Sequence, residues 1–312
     1  MLQYLIVLLD DTSTSYCHYN NSNIKSRLIS LEHLKAGILF AMKENLMIQF
    51  VYPAYEIPKE YKETIETIDH VKIMPSDAEN IIDADVVVVN SGKEVAHNVS
   101  TTKTGCKTFV LRTRNREAMN SVFTILENGR LNIIITDIET FTEKDFETYN
   151  QWLLELGETV KNLYCNRKVP QINLLTDRIW LEKMNNCNAG YENITLAPNG
   201  KFYVCPAFYI ENEKDSIGNL KSGLEIKNPQ LYKLEYAPLC RICDAYQCKR
   251  CVWLNRKTTL EVNTPSHEQC VVAHLERNAS RQLLNELKLM GFFPDKTIID
   301  IDYLDPFEKI KN

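Results

Sequence analysis

Seven of the ten cysteines lie between Cys187 and Cys270, and Cys240, Cys243, Cys248 and Cys251 fall within twelve residues of one another. Cysteines used as core filler do not group this tightly. Thiolates brought so close together converge on soft metal, because a sulfur ligand must be deprotonated and a cation favours that state. The C-terminal half is therefore expected to be organised by ligands as much as by apolar burial.

Zinc and iron–sulfur both use such cysteines. Zinc takes four tetrahedral ligands, which two Cys-x-x-Cys pairs can supply. Zinc ribbons, however, separate their pairs by about fifteen or more residues, and here only four residues separate Cys243 from Cys248. Seven cysteines also suit two clusters better than one zinc ion. The spacing thus favours 4Fe-4S clusters, with zinc as the alternative.

A chain of 312 residues suffices for two domains or one large one. Its 44% hydrophobic and 25% charged residues describe an ordinary soluble protein, and a net charge of −5 gives no nucleic-acid footprint. The apolar stretch Leu2–Leu9 is short, lacks a basic flank and runs into Asp10-Asp11, so it reads as a strand rather than a secretory signal. No run approaches the ~20 apolar residues of a membrane helix. These features predict a cytoplasmic protein whose clustered cysteines serve metal or catalysis rather than disulfides.

Along the first ~180 residues, strands are predicted at 2–9, 47–52, 71–74, 84–89, 108–111, 131–136 and 172–175. Helices are predicted at 28–44, 58–68, 117–126 and 143–163. Leu31, Leu34, Ile38, Leu39 and Met42 form the apolar side of the first helix. The alternation implies parallel βαβ units, as an open sheet or a partial (β/α) barrel. Near Asn185 polar turns take over. Residues 191–204 alternate across Pro198-Asn199-Gly200, a hairpin signal, and a helix is predicted from Ser266 to Leu289. The division predicted is an α/β domain at 1–180 and a small Cys-rich domain at 181–312.

The C-terminal pattern resembles the SPASM domain: Cys187, then Gly200-Lys-Phe-Tyr-Val-Cys205, the four-cysteine run, and Cys270. That domain follows a radical-SAM barrel in many peptide-modifying enzymes and carries two auxiliary 4Fe-4S clusters. The resemblance implies one cluster on Cys187, Cys205 and Cys251, and another on Cys240, Cys243, Cys248 and Cys270. The first set is one thiolate short. Cys165 or a non-cysteine group completes it, or one iron stays open. The run departs from the family's usual Cys-x2-Cys-x5-Cys-x3-Cys; its later gaps are each one residue shorter.

A radical-SAM enzyme also needs Cys-x3-Cys-x2-Cys after its first strand. Here that register reads Asp10, Thr14 and Cys17, and the Gly-Gly-Glu expected after the second strand is replaced by Tyr52-Pro53-Ala54-Tyr55-Glu56. Standard SAM cleavage is therefore not expected. Cys17 and Asp10 are the candidate catalytic residues; each also reads as ordinary structure, a half-buried thiol and a loop cap. His274, Arg277 and Arg281 share a helix face, either facing a cluster or peptide, or ion-paired. Trp253 reads as a lid over a cluster.

More specifically, Leu8 to Tyr19, Cys251 to Lys257 and Pro265 to Arg281 resemble the CXXX repeat peptide maturases. This implies a Cys-rich, ribosomally made peptide as partner and allows cooperation with a separate radical-SAM enzyme. The rival expectation is a non-catalytic accessory protein with structural metal.

Overall fold

A computed structural model describes residues 2–90, 107–114, 122 and 129–297. Seven strands follow one another in space as in sequence: β1 (Tyr4–Leu8), β2 (Met47–Val51), β3 (His70–Pro75), β4 (Val86–Asn90), β5 (Thr108–Thr113), β6 (Arg130–Ile135) and β7 (Gln171–Ile172). Every neighbouring pair among them is parallel. Sequential parallel strands joined by crossovers of one hand curl the sheet in one direction, and the result is the partial α/β barrel expected.

The other edge of β1 carries the C-terminal half. Strand β8 (Asn193–Leu196) pairs with β1 in parallel, from Tyr4↔Asn193 to Val7↔Leu196. Strand β9 (Phe202–Tyr203) returns antiparallel to β8, forming the hairpin read from the sequence. Gly200 closes its turn at φ +75°, a left-handed conformation that glycine adopts without strain. A short pair, β10 (Gly218–Asn219) with β11 (Gly223–Leu224), follows.

Helix α1 (Leu31–Lys43) is capped by Ser30, whose side chain accepts from the His33 amide. Its buried side is Leu34, Gly37, Ile38 and Ala41, whereas Leu39 and Met42 are exposed. The buried face is rotated from the expected one because small residues decide it. A side chain on Gly37 would overlap Leu196, so the helix rests on its smallest positions. Helix α2 spans Lys59–Ile65. The helix expected at 117–126 lies outside the described residues, Val122 apart.

Helix α3 (Glu143–Cys165) starts with a capping box between Thr142 and Asp145 and buries Trp152, Leu153, Leu156 and Val160. It packs along α7 (His267–Leu289). The Tyr149 hydroxyl donates to Glu276 at 2.8 Å, and Lys161 pairs with Glu286 at 2.8 Å. Between them lie α4 (Thr176–Trp180), α5 (Pro206–Glu211) and α6 (Val252–Thr259). Among the described residues no helix is long and apolar enough to cross a membrane.

The strand expected at 172–175 stops at Ile172, and a side chain replaces the missing ladder. Asn173 Oδ1 accepts from the Ile133 amide at 2.8 Å and Asn173 Nδ2 donates to the Ile133 carbonyl at 2.9 Å. Asn173 is buried, so Asn173→Ala leaves both backbone groups unpaired. We expect a loss of about 2–4 kcal/mol in urea unfolding; a loss below about 0.5 kcal/mol would show that the amide does not replace the ladder.

Candidate metal centre

Four cysteines from four segments line one cavity of about 250 Å³: Cys17, Cys187, Cys205 and Cys251. Cys187 directly precedes the β8 segment, Cys205 is the N-cap of α5, and Cys251 is the N-cap of α6. Cys17 comes from the loop after β1. Tyr4 and Ile6 of β1, Gln49 of β2, Asn193 and Trp253 complete much of the wall. Tyr4, Ile6 and Gln49 share a sheet face because strand side chains alternate and Gln49 is the register partner of Ile6.

Burial pushes all four thiols up: Cys251 to about 12, Cys17 and Cys205 well above the ordinary range, and Cys187 more modestly. Cys187 counts as exposed by area, yet its thiol lies deep among protein atoms, because the open area faces the cavity. Neighbouring sulfurs add to the rise. The backbone opposes it: amides of Ala189, Ala207 and Trp253 donate to Cys187, Cys205 and Cys251 respectively. The same two-residue spacing recurs outside the cavity, where the Ala245 amide donates to Cys243 at 3.4 Å and the Arg250 amide to Cys248. Donors are thus in place for sulfur anions, which only a cation can make stable here.

The geometry of the described residues does not gather the ligands of a lone ion. Sulfurs tetrahedral about zinc at 2.3 Å lie about 3.8 Å apart. Among the described residues no three His, Cys, Asp or Glu side chains converge closely enough for a single metal ion. The four thiols instead stand around a cavity of about 250 Å³.

Residues 10–20 reach this position because they cross the sheet face from β1 to β6. Asp10 is fully buried and fully bonded. Its Oδ1 accepts from the Thr12 amide at 2.8 Å and hydroxyl at 2.6 Å; its Oδ2 accepts from Ser26 at 2.8 Å and Tyr55 at 2.9 Å. Arg112 of β5 donates to the carbonyls of Cys17 at 2.8 Å and Tyr19 at 2.6 Å. His18 Nδ1 meets the Ile135 carbonyl at 2.9 Å, so that nitrogen carries the hydrogen, and burial lowers the ring's pKa. The structure therefore makes Asp10 an organiser of the loop, outside the cavity lining, and puts Cys17 in the lining. Cys165 ends α3 as an exposed residue and does not line the cavity.

Cys240, Cys243 and Cys248 lie together in the knuckle. Cys240 is pushed up to about 11 and Cys248 to about 12, by burial first, with neighbouring knuckle thiols contributing. Cys270 lies on α7 one turn before His274, whose Nε2 is 3.5 Å from Cys243 Sγ. Arg277 and Arg281, farther along α7, donate to the buried Asp244 carboxylate at 2.8 and 2.9 Å. The ion-paired reading therefore holds for these two arginines, while His274 meets a knuckle sulfur. Trp253 walls the first cavity and donates to Glu211 at 3.0 Å, a lid held in place.

Arg250 and Glu276 escaped the sequence reading. Arg250 is buried between the two sets, with the thiols of Cys240, Cys248 and Cys187 as its charge partners. Its Nη2 donates to the Tyr232 carbonyl, but Nε and Nη1 have no hydrogen-bond partner. A buried guanidinium with two orphan donors is costly alone, and an anionic cluster bound by thiolates would supply the missing charge and acceptors. Its place between two ligand cysteines was the available signal. Glu276 lines a smaller cavity of about 60 Å³ with His18 and Cys248.

No protein-family model and no curated protein matches the chain. Solved structures do. Histidine-tagged anSMEcpe with bound AdoMet aligns with a TM-score of 0.60 at 14% identity, covering 96% of each chain. Native anSMEcpe with AdoMet and the Cp18Cys peptide aligns with a TM-score of 0.57 at 15% identity, covering 92% of this chain and 99% of that one. At these identities the likeness is one of fold, a parallel α/β sheet followed by a C-terminal region, and it extends over nearly the whole chain. The likeness does not extend to the narrower CXXX repeat maturases. These neighbours hold AdoMet, which stands against the expectation that SAM has no place in such a chain.

Burial lifts the Glu276 carboxyl from 4.5 to about 7, against the hydrogen bond from Tyr149, which lowers it. The folded protein thus binds this proton more tightly than the unfolded chain, and stability falls as pH rises from about 4.5 to about 7. Glu276→Gln is expected to raise stability at pH 8 by on the order of 1–2 kcal/mol. The gain should shrink toward zero near pH 5, as read from urea midpoints of anaerobically purified protein. A gain independent of pH would contradict it.

Proposed function

We propose that this chain takes part in maturing a Cys-rich, CXXX-repeat, ribosomally made peptide. In this reading it holds two 4Fe-4S clusters and works with a radical-SAM partner. Residues 1–180 form the barrel unit and 181–312 the cluster-binding unit. The observation that carries the reading is the gathering of distant cysteines around one cavity, with buried Arg250 as countercharge between the two sets. Peptide-bound structures among the fold neighbours support a peptide as the substrate class.

Bound clusters would supply one-electron transfer. The chain's own residues do the rest. Cys187, Cys205 and Cys251 hold one cluster, and Cys240, Cys243, Cys248 and Cys270 the other. Backbone amides donate to the sulfurs and so favour the more reduced, more negative state, as Arg250 does through its charge. Trp253 excludes water from the first site.

Protein purified without oxygen is expected to contain about eight irons and matching sulfide. One or two zinc ions with little iron would instead make it an accessory protein with structural metal. Cys240→Ser with Cys243→Ser should remove about four irons and lower the unfolding temperature, since metal binding is folding free energy. A labelled peptide of Cys-x3 repeats should bind the wild-type protein, and absence of binding would refute the substrate. Equilibrium dialysis with AdoMet assigns the SAM-dependent step: binding places it on this chain, and no binding places it on the partner.

A further inference from the structure

We infer that Cys17 is the fourth thiolate of the cluster held by Cys187, Cys205 and Cys251. The inference rests on the proposal that this cavity holds a 4Fe-4S cluster. It adds a ligand from the opposite end of the chain, 170 residues before Cys187 by their numbers.

Three observations carry it. Cys17 lines the same cavity as the other three cysteines, and Cys165, the other spare cysteine among the described residues, is exposed at the end of α3. The backbone around Cys17 is fixed on both sides. Arg112 holds the Cys17 and Tyr19 carbonyls, and His18 is tied to the end of β6. Finally, the Asp10 carboxylate is already committed elsewhere, and the backbone at Thr14 is tied down just beyond β2. Asp10 is bonded by Thr12, Ser26 and Tyr55, and the Thr14 amide donates to the Tyr52 carbonyl at 3.0 Å. Cys17 is therefore turned from a three-cysteine loop motif toward the C-terminal set.

On ligation, the Cys17 thiol gives its proton to solvent and its Sγ bonds the fourth iron; no electron is transferred. The cluster is then closed by four thiolates, with no iron left for substrate. It serves electron transfer or structure, and it ties the loop after β1 to the C-terminal half. The iron stays where it is only while that loop does.

The test compares wild-type protein, Cys17→Ala, Cys17→Ser and Cys165→Ala after anaerobic purification, by iron and sulfide analysis and electron paramagnetic resonance. After mild ferricyanide oxidation, Cys17→Ala is expected to lose about one iron per chain and to show the near-isotropic signal of a three-iron cluster. Cys17→Ser should keep four irons there through an oxygen ligand, with an altered reduced-state spectrum. Cys165→Ala should match the wild type. Cys17→Ala with wild-type iron and spectra overturns the inference and leaves the two-cluster reading standing, and so does a three-iron signal in Cys165→Ala. Wild-type protein without iron or sulfide overturns both. If Cys17→Ala does not fold, Cys17→Ser decides, and a spectrum identical to wild type counts against ligation.

Discussion

The parallel pairing of β8 with β1 is the contact on which the rest of the arrangement depends. Strand β1 is bonded on one edge to β2 and on the other to β8, so the barrel's first strand is also the anchor of the C-terminal half. Cys187 lies just before β8 and Cys205 just after β9, and the loop carrying Cys17 leaves β1 beside them. A ladder of backbone hydrogen bonds thus sets the distance between sulfurs that are far apart in sequence. Backbone pairing is stiff in register, because a slip of one residue would turn every side chain to the other face.

Electrostatics then decides what that arrangement can hold. Desolvation makes every one of these thiols a poor anion, and Arg250 a poor cation. Neither is stable in isolation. Together with metal they compensate one another: thiolates offset iron charge, backbone amides bond to the sulfurs, and the guanidinium lies between the two sets. The same reasoning separates the arginines. Arg277 and Arg281 already have Asp244 as partner, whereas two donors of Arg250 have none.

The loop after β1 is held in place by its own buried polar groups and by Arg112. Asp10 spends both carboxylate oxygens on four local donors. These bonds fold the loop back, and Arg112 fixes its far side. Polar groups that would be costly in a buried loop are thereby satisfied. The fold of the AdoMet-bound neighbours is kept over nearly the whole chain.

Most strand and helix identities, the hairpin and the partial barrel were legible in the sequence, because periodicity and turn chemistry are local properties. The capping box of α3 and the Ser30 cap of α1 were legible in the same sense. What was not legible depended on contacts between distant segments. Leu39 and Met42 looked like core until the sheet selected the side that buries Gly37 and Ala41, with Gly37 against Leu196. Asn173 ended a strand by bonding Ile133, forty residues away. By itself the sequence determined that seven cysteines would fall in the C-terminal half and that a parallel sheet would precede them. Only the tertiary structure decided that Cys17 joins Cys187, Cys205 and Cys251, because the neighbours of β1 across the sheet are set by strand pairing and not by distance along the chain.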